Sequence, residues 1–332
     1  MVQKMANQSK KAILMLLYEH QDQFLSGQRI SELLGCSRTA VWKQIKALID
    51  DGFQIQSVQK KGYKLLSSPE GLNEAAVKAG LRTKKLGQMI YFFDKIGSTQ
   101  KEALRIADEG APDGTLVLTN EQTQGRGRLG HTWQSQRGTN IAMSLILRPD
   151  LPIDKTPQLT LLTAVAATET IEKVTGLSCG IKWPNDILYK GKKLVGILTE
   201  LQAESTYVKA VVIGIGINVN TEPEAIQETI NQVASSLHAI TGEHYALAPF
   251  IQSFLVLFEK LYEQYLERGF SAIRPLWERR AINLGKQIKV RQPGGRILEG
   301  VARGINDDGV LLLEKGDGSI TRVYSADIEW EP

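Results

Sequence analysis

The chain has 332 residues, enough for two or three domains, and 42% of them are hydrophobic, enough for ordinary cores. Two cysteines, Cys36 and Cys179, show no disulfide, redox or metal spacing, and no apolar run has the length of a leader or a membrane span. This excludes the disulfide-stapled and membrane-spanning classes and makes a cytoplasmic protein the expectation. The net charge is +4, yet residues 1–66 alone carry ten Lys+Arg against five Asp+Glu. All of the basic excess therefore lies in the N-terminal fifth, as in a small nucleic-acid-binding module joined to a near-neutral body. The four histidines, His20, His131, His238 and His244, have no ligand spacing, and no protein-built metal site is expected.

Apolar residues at Ile13, Leu14, Leu16 and Leu17 predict an amphipathic helix over Lys10–Glu19. A second helix is expected over Gln28–Leu34, ending at Gly35. Ser37 then caps a third, running to Ile49, with Val41, Ile45 and Leu48 as its core stripe. Two helices around a short Gly35-Cys36 turn make a helix-turn-helix, whose second helix would read a major groove from its N-terminal end. Ser37, Arg38, Thr39, Trp42 and Lys43 are the candidates on that helix, with Arg38 and Thr39 the base readers. Phe53–Val58 and Tyr63–Leu66 form a hairpin with Lys60 and Lys61 at its tip, a wing placed to meet phosphates. A helical protein-interaction module with a solvated basic face is the alternative for this region. Ser67-Ser68-Pro69 opens a linker expected over 67–85.

In the central body, strand-like and helix-like segments alternate. Met89–Phe93 is a strand, and Ser98 or Thr99 caps a helix through Asp108, turning backbone N–H groups toward a ligand. A strand at Thr115–Thr119 leads into Gly125-Arg126-Gly127-Arg128-Leu129-Gly130. Glycine allows close backbone approach, and arginine supplies a planar charge that matches carboxylate and phosphate oxygens, so this loop reads as an anion clamp. It also fits G-x-G-x-x-G, but His131–Gly138 lacks the apolar periodicity of the helix that a dinucleotide site requires. Leu159–Val174 is an amphipathic core helix. Pro184 fixes a turn that displays Lys182, Asn185 and Asp186, and Gly191-x-x-x-x-Gly196 leads to Ile197, so no Walker A loop is present. Val211–Asn220 reads as a buried strand whose Gly214 and Gly216 admit a ligand against the backbone. A long helix over Pro249–Glu267 carries a core stripe of Phe250, Phe254, Phe258, Tyr262 and Tyr265. After Leu284, short strands between Gly-rich turns predict a small SH3-like β-barrel.

The segments STQKEA (98–103), EQTQGRGRLG (121–130), KWPNDI (182–187), GKKLVGIL (191–198) and GIGINVN (214–220) closely resemble those of biotin–protein ligases, in family order and across nearly the whole chain. With the winged helix in front, the chain resembles the bifunctional ligases that also repress a biotin operon. The resemblance implies an α/β (α+β) multidomain protein with a winged helix-turn-helix at 1–66, a linker at 67–85, a mixed-sheet catalytic domain at 86–283 and an SH3-like domain at 284–332.

The resemblance also implies AMP-forming chemistry. Biotin and ATP give biotinoyl-5′-adenylate, and biotin then passes to one lysine of biotin carboxyl carrier protein. Arg128 matches the family's principal catalytic position, Lys193 the lysine near the biotin carboxylate and phosphate, and Arg126 and Lys182 add charge. Ser98, Thr99, Gln100 and Gln122 match biotin contacts. Gly125 and Gly127 belong to the loop, Gly214 and Gly216 line the pocket, and Asn185 and Asn218 match the nucleotide side. Trp133 is either an apolar wall of the pocket or ordinary core. Asp186 either holds magnesium indirectly, orients the incoming lysine or is a structural turn residue. Magnesium is expected on ATP phosphates, not in a protein cage. His131 replaces an arginine found in many relatives, which removes a permanent charge. The glycine-rich loop is expected to be mobile until ligand anions order it as a lid. Family members pair as adenylate-bound homodimers that present two winged helices to operator DNA, and strands near Val195–Glu204 are the candidate edge. A lipoate-type ligase, or a biotin ligase without DNA-binding regulation, is the alternative.

Overall fold

The computed structural model describes residues 2–20, 23–67, 71–204, 207–230, 234–292, 295–324 and 326–329. The chain divides into two compact units, Met1–Arg82 and Thr83–Pro332. No described helix is long and apolar enough to cross a membrane.

In the first unit, helices α1 (Val2–Glu19), α2 (Gly27–Leu34) and α3 (Arg38–Asp50) precede the antiparallel hairpin β1 (Gln54–Val58) and β2 (Gly62–Ser67). Ser26 and Ser37 cap α2 and α3 by accepting from the N–H groups of Arg29 and Ala40. Gly35 closes α2 in the left-handed conformation, as the helix-turn-helix turn requires. Ile13, Leu17, Ile30, Val41, Ile45, Leu48 and Leu65 are buried together, so each helix turns its apolar stripe inward. Leu25 bridges Tyr63 as a short third strand. At Gly62, φ is +112° and a Cβ would stand 2.0 Å from the Leu25 carbonyl oxygen, so only glycine permits that closure.

The stretch expected as a linker is corrected in part. Residues 68–70 lie outside the described ones, but α4 (Glu74–Ala79) follows and belongs to the first unit, which runs to Arg82. Asn73 caps α4 by accepting from Ala76 N–H and donates to the Tyr18 hydroxyl on α1. Ala75 and Val77 are buried. The Asn cap followed by a short apolar stripe was the sequence signal.

The second unit contains β3 (Ile90–Ile96), α5 (Thr99–Asp108), β4 (Thr115–Gln122), β5 (Asn140–Leu147), α6 (Thr156–Thr175), β6 (Gly180–Lys182), β7 (Asp186–Tyr189), β8 (Lys192–Glu204), β9 (Tyr207–Asn218), α7 (Pro223–Ile230), α8 (Leu237–Thr241), α9 (Leu247–Arg268) and α10 (Arg274–Glu278). Seven strands form a mixed sheet in the order β3-β4-β5-β9-β8-β7-β6, with β3 and β4 parallel and the other neighbours antiparallel. All eight residues of β5 are buried, so both faces of the sheet are covered. Helix α5 supplies one cover, setting Ala103, Ile106 and Ala107 against Val117, Ile146 and Val212. The aromatic stripe of α9 is core, as its spacing predicts. From the same helix Glu259 accepts the backbone N–H groups of Lys84, Lys85 and Leu86, anchoring the chain ahead of β3.

Strands β10 (Gln287–Arg291), β11 (Ile297–Ile305), β12 (Leu311–Glu314), β13 (Ile320–Val323) and β14 (Asp327–Glu329) form an antiparallel sheet in the order β13-β12-β11-β10-β14. The first strand of the domain, β10, thus lies between β11 and the last strand, β14, as expected of an SH3-like arrangement. Residues 293–294 of the expected Pro293-Gly-Gly295 turn lie outside the described residues.

Candidate active site

The ends of β4, β8 and β9, the N-terminus of α5 and the loop after β4 surround a cavity of about 490 Å³. Its floor is polar. Ser98 caps α5, and Ser98, Thr99 and Gln100 are buried. The Gln122 side-chain oxygen accepts from Thr99 N–H at 2.8 Å and from its hydroxyl at 3.1 Å. Ser144, an unremarked strand position in the sequence, donates to Thr99 Oγ1 and Gln100 Oε1, each at 3.1 Å. Gln100 Nε2 donates to the Val212 carbonyl. These bonds fix the rotamers of the floor, so it is rigid before anything binds.

The glycine-rich loop is folded as an irregular hairpin. Gln122 bridges Ser135 and Arg126 bridges Thr132, and a 3₁₀ turn at Arg128–Gly130 forms the tip. Trp133 N–H donates to the Gly125 carbonyl, Gly127 N–H to His131 and His131 N–H to Arg128. The expected absence of a long helix after the loop is what the structure has. A Cβ on Gly125 would lie 2.3 Å from the Trp133 carbonyl oxygen. Gly125 thus closes the hairpin that carries Arg126, Gly127 and Arg128 to the cavity.

Gly196 of β8 and Gly216 of β9 are register partners, and the Trp133 ring lies over both. A Cβ on Gly216 would come 2.3 Å from the ring, and one on Gly196 would come 3.0 Å from it. A shelf without side chains is therefore what lets the indole in. The indole N–H is buried without a hydrogen-bond acceptor, so the wall carries one polar donor. Gly214 meets Gln100 in the same way, its Cβ position lying 2.5 Å from Gln100 Oε1.

Arg126, Arg128, Lys182 and Lys193 all line this cavity. Each cation with a described partner is held by an oxygen. Arg128 donates to Asn185 Oδ1 at 2.9 Å and to the Ala326 carbonyl at 3.4 Å. Lys193 pairs with Asp186 at 2.8 Å, and Arg126 lies 3.9 Å from Glu200. Asn185, buried, donates to both Asp186 and the Ile197 carbonyl. A cis Trp183–Pro184 peptide turns the chain from β6 into β7 and puts Lys182, Asn185 and Asp186 beside the loop.

The sequence-predicted residues Ser98, Thr99, Gln100, Gln122, Arg126, Gly127, Arg128, Trp133, Lys182, Asn185, Lys193, Gly214 and Gly216 converge here. Asn218 does not. It lines an adjoining cavity of about 240 Å³ with Gln134 and Ala234, and His131, Thr132, Trp133 and Lys193 border both. Sequence reasoning missed Met143, Trp183, Leu198, Ala326 and Ile328. The last two come from the C-terminal module, Ala326 just before β14 and Ile328 within it, for which only family resemblance implied a role.

In the first unit, Arg38, Thr39, Trp42 and Lys60 share one groove between α3 and the hairpin, with Ser26, Gly27 and Gln28 at its side. Trp42 is 54% exposed there, a large apolar surface left open to a partner. Ser37 is spent on capping, and Lys43 and Lys61 are exposed outside the groove.

Comparison with known proteins defines the class. Residues 92–218 match the Biotin/lipoate A/B protein ligase family, residues 284–330 the Biotin protein ligase C terminal domain and residues 10–64 an HTH domain. The chain belongs to the biotin protein ligase family. Its domain set is that of the bifunctional members: it is 48% identical over 320 residues to the bifunctional ligase/repressor BirA of Bacillus subtilis, covering 96% of this chain and 98% of that one. It is 30% identical to the BirA of Escherichia coli over 90% of both chains. Among solved structures it resembles the biotin protein ligase from Aquifex aeolicus in complex with biotin and ATP, with a TM-score of 0.63 and 27% identity over 73% of this chain and 98% of that one.

The glycine shelf is open to test. Gly216→Ala should expel the Trp133 ring or strain the β8–β9 pair, destabilising the protein by about 1–3 kcal/mol. A lower urea midpoint and red-shifted tryptophan emission are expected. If both stay unchanged, the ring does not depend on the shelf.

Proposed function

We propose that the second unit joins biotin to AMP and passes it to a lysine of a biotin carboxyl carrier protein, and that the first unit binds operator DNA when the adenylate is present. The convergence of Arg126, Arg128, Lys182 and Lys193 on one cavity carries this reading.

In the first step a biotin carboxylate oxygen attacks the α-phosphorus of ATP. A new O–P bond forms, the bond to the β-phosphate oxygen breaks and pyrophosphate leaves. Both reactants are anions, so their approach is opposed unless fixed positive charge surrounds them. Arg128 and Lys193 stand in the cavity for that purpose, with Arg126 and Lys182 adding charge. Lys193 exchanges Asp186 for a substrate oxygen, and Arg128 exchanges the Asn185 oxygen. Thr99, Gln100 and Gln122 offer donors and acceptors to the ureido group, which would otherwise lose about 1–3 kcal/mol for each buried partner left unpaired. Trp133 and the bare strands of Gly214 and Gly216 enclose its apolar ring system. In the second step the neutral carrier amine attacks the acyl carbon, AMP departs and the amine sheds a proton. Asp186, released from Lys193, is the carboxylate placed to orient that amine.

Magnesium fits this site as an ion carried on the ATP phosphates. Asp186 is the one carboxylate among the described residues lining the cavity, too few for a cage. Bound there, magnesium would neutralise phosphate charge. The loop hairpin serves as the lid over the adenylate, keeping water from the mixed anhydride.

A two-fold homodimer is supported by strand pairing. β7 covers only Lys192–Gly196 of β8, so among the described residues 198–204 pair on one side only, with β9. Such an edge invites a second strand. Within the expected edge at Val195–Glu204, the proposed pairing segment is 198–204.

ATP–pyrophosphate exchange measured with biotin and with lipoate, followed by transfer to a carrier domain, tests the catalytic reading. Exchange with biotin alone is expected; exchange driven by lipoate, or by neither acid, would sink it. For the regulatory part, gel shifts on operator DNA should tighten when adenylate is added. Arg38→Ala should then weaken binding by about 1–3 kcal/mol. Equal DNA affinity with and without adenylate would contradict the coupling.

A further inference from the structure

Three polar side chains meet at the far end of β9, outside the catalytic cavity. Glu222 immediately precedes α7, His238 lies in the first turn of α8, and His244 follows the Gly242 that ends α8. One donor atom from each lies within 4.8 Å of the others. The two imidazole rings stack, with centroids 4.0 Å apart and planes at 21°. His238 Nδ1 is 3.3 Å from the Glu243 carbonyl oxygen, and its Nε2 is 3.4 Å from Glu222 Oε2.

A carbonyl oxygen only accepts, so Nδ1 carries the proton. In the neutral ring Nε2 then points a lone pair at a carboxylate that also only accepts. His238 Nε2 and the Glu222 carboxylate oxygen, 3.4 Å apart, stand at a distance that suits a cation between them. A tetrahedral zinc ion, with Zn–N of about 2.0–2.1 Å and Zn–O of about 2.0–2.2 Å, sets such ligand atoms about 3.3–3.5 Å apart. The Nδ1 contact to a backbone carbonyl is also the outer-shell bond that metal-bound histidines make. A bare ion pair between Glu222 and His238 would leave the second, stacked imidazole without a part. His238 is half-buried while Glu222 and His244 are exposed, so an ion can enter from solvent.

We propose that Glu222, His238 and His244 bind one borderline divalent cation of the zinc, cobalt or nickel type, with water completing its coordination. The ion ties the exit of β9 to α8 and to the turn behind it. It thereby fixes both ends of segment 222–238. Histidine spacing alone gave no warning, because the carboxylate stands sixteen residues before His238.

The test uses untagged, metal-stripped full-length protein near neutral pH. Titration with zinc followed by calorimetry, and with cobalt followed by visible absorption, should give one saturable site and the intense bands of tetrahedral cobalt. His238→Gln with His244→Gln should weaken binding at least about tenfold. Because His244 is exposed, His244→Gln alone provides a variant that keeps the fold. A control with Cys36→Ser and His20→Gln should bind as the parent does. Absence of a saturable site, or binding indifferent to both histidine substitutions, overturns the proposal.

Discussion

Four cations around one cavity repel each other, and the structure manages that repulsion with oxygen partners that a ligand can replace. Lys193 rests on Asp186, Arg128 on Asn185 and the Ala326 carbonyl, and Arg126 approaches Glu200. None of these arrangements is a deeply buried ion pair; the Lys193 and Asp186 side chains remain 31% and 20% exposed. Desolvation is then modest and exchange is cheap. A fully buried pair would hold its partner too tightly to give it up to a substrate.

The rest of the site follows from keeping those charges in place while leaving room for a ligand. The sheet contributes bare backbone where bulk is forbidden, at Gly196, Gly214 and Gly216. The N-terminus of α5 contributes a floor already hydrogen-bonded through Gln122 and Ser144. The C-terminal module contributes an oxygen to Arg128 and two lining residues, which couples a separate part of the sequence to the reactive end. In the first unit a similar economy puts the Ser37 cap, the Arg38 and Thr39 side chains and the Lys60 tip in one neighbourhood, because the cap fixes where α3 begins.

Much of this was legible because the motifs are local. The capping serines, the aromatic stripe of α9 and the proline turn at 184 each encode their geometry within a few residues. What escaped detection depends on distant partners. Gly125 matched a ligand loop, yet its role is set by the Trp133 carbonyl across the hairpin. Asn218 sits on the strand of Gly214 and Gly216 but beyond Trp133, so it faces another cavity. α4 lay inside a stretch with linker composition, and its few buried residues make sense only against α1. Ser144 and Ala326 carry no motif at all.

A crystal structure of the protein with biotinoyl-adenylate bound is the most direct test of the central claim. The account predicts that Lys193 and Arg128 leave Asp186 and Asn185 and come within about 3 Å of the acyl or phosphate oxygens. An adenylate bound with Lys193 still on Asp186, and with its oxygens beyond hydrogen-bond reach of all four cations, would contradict it.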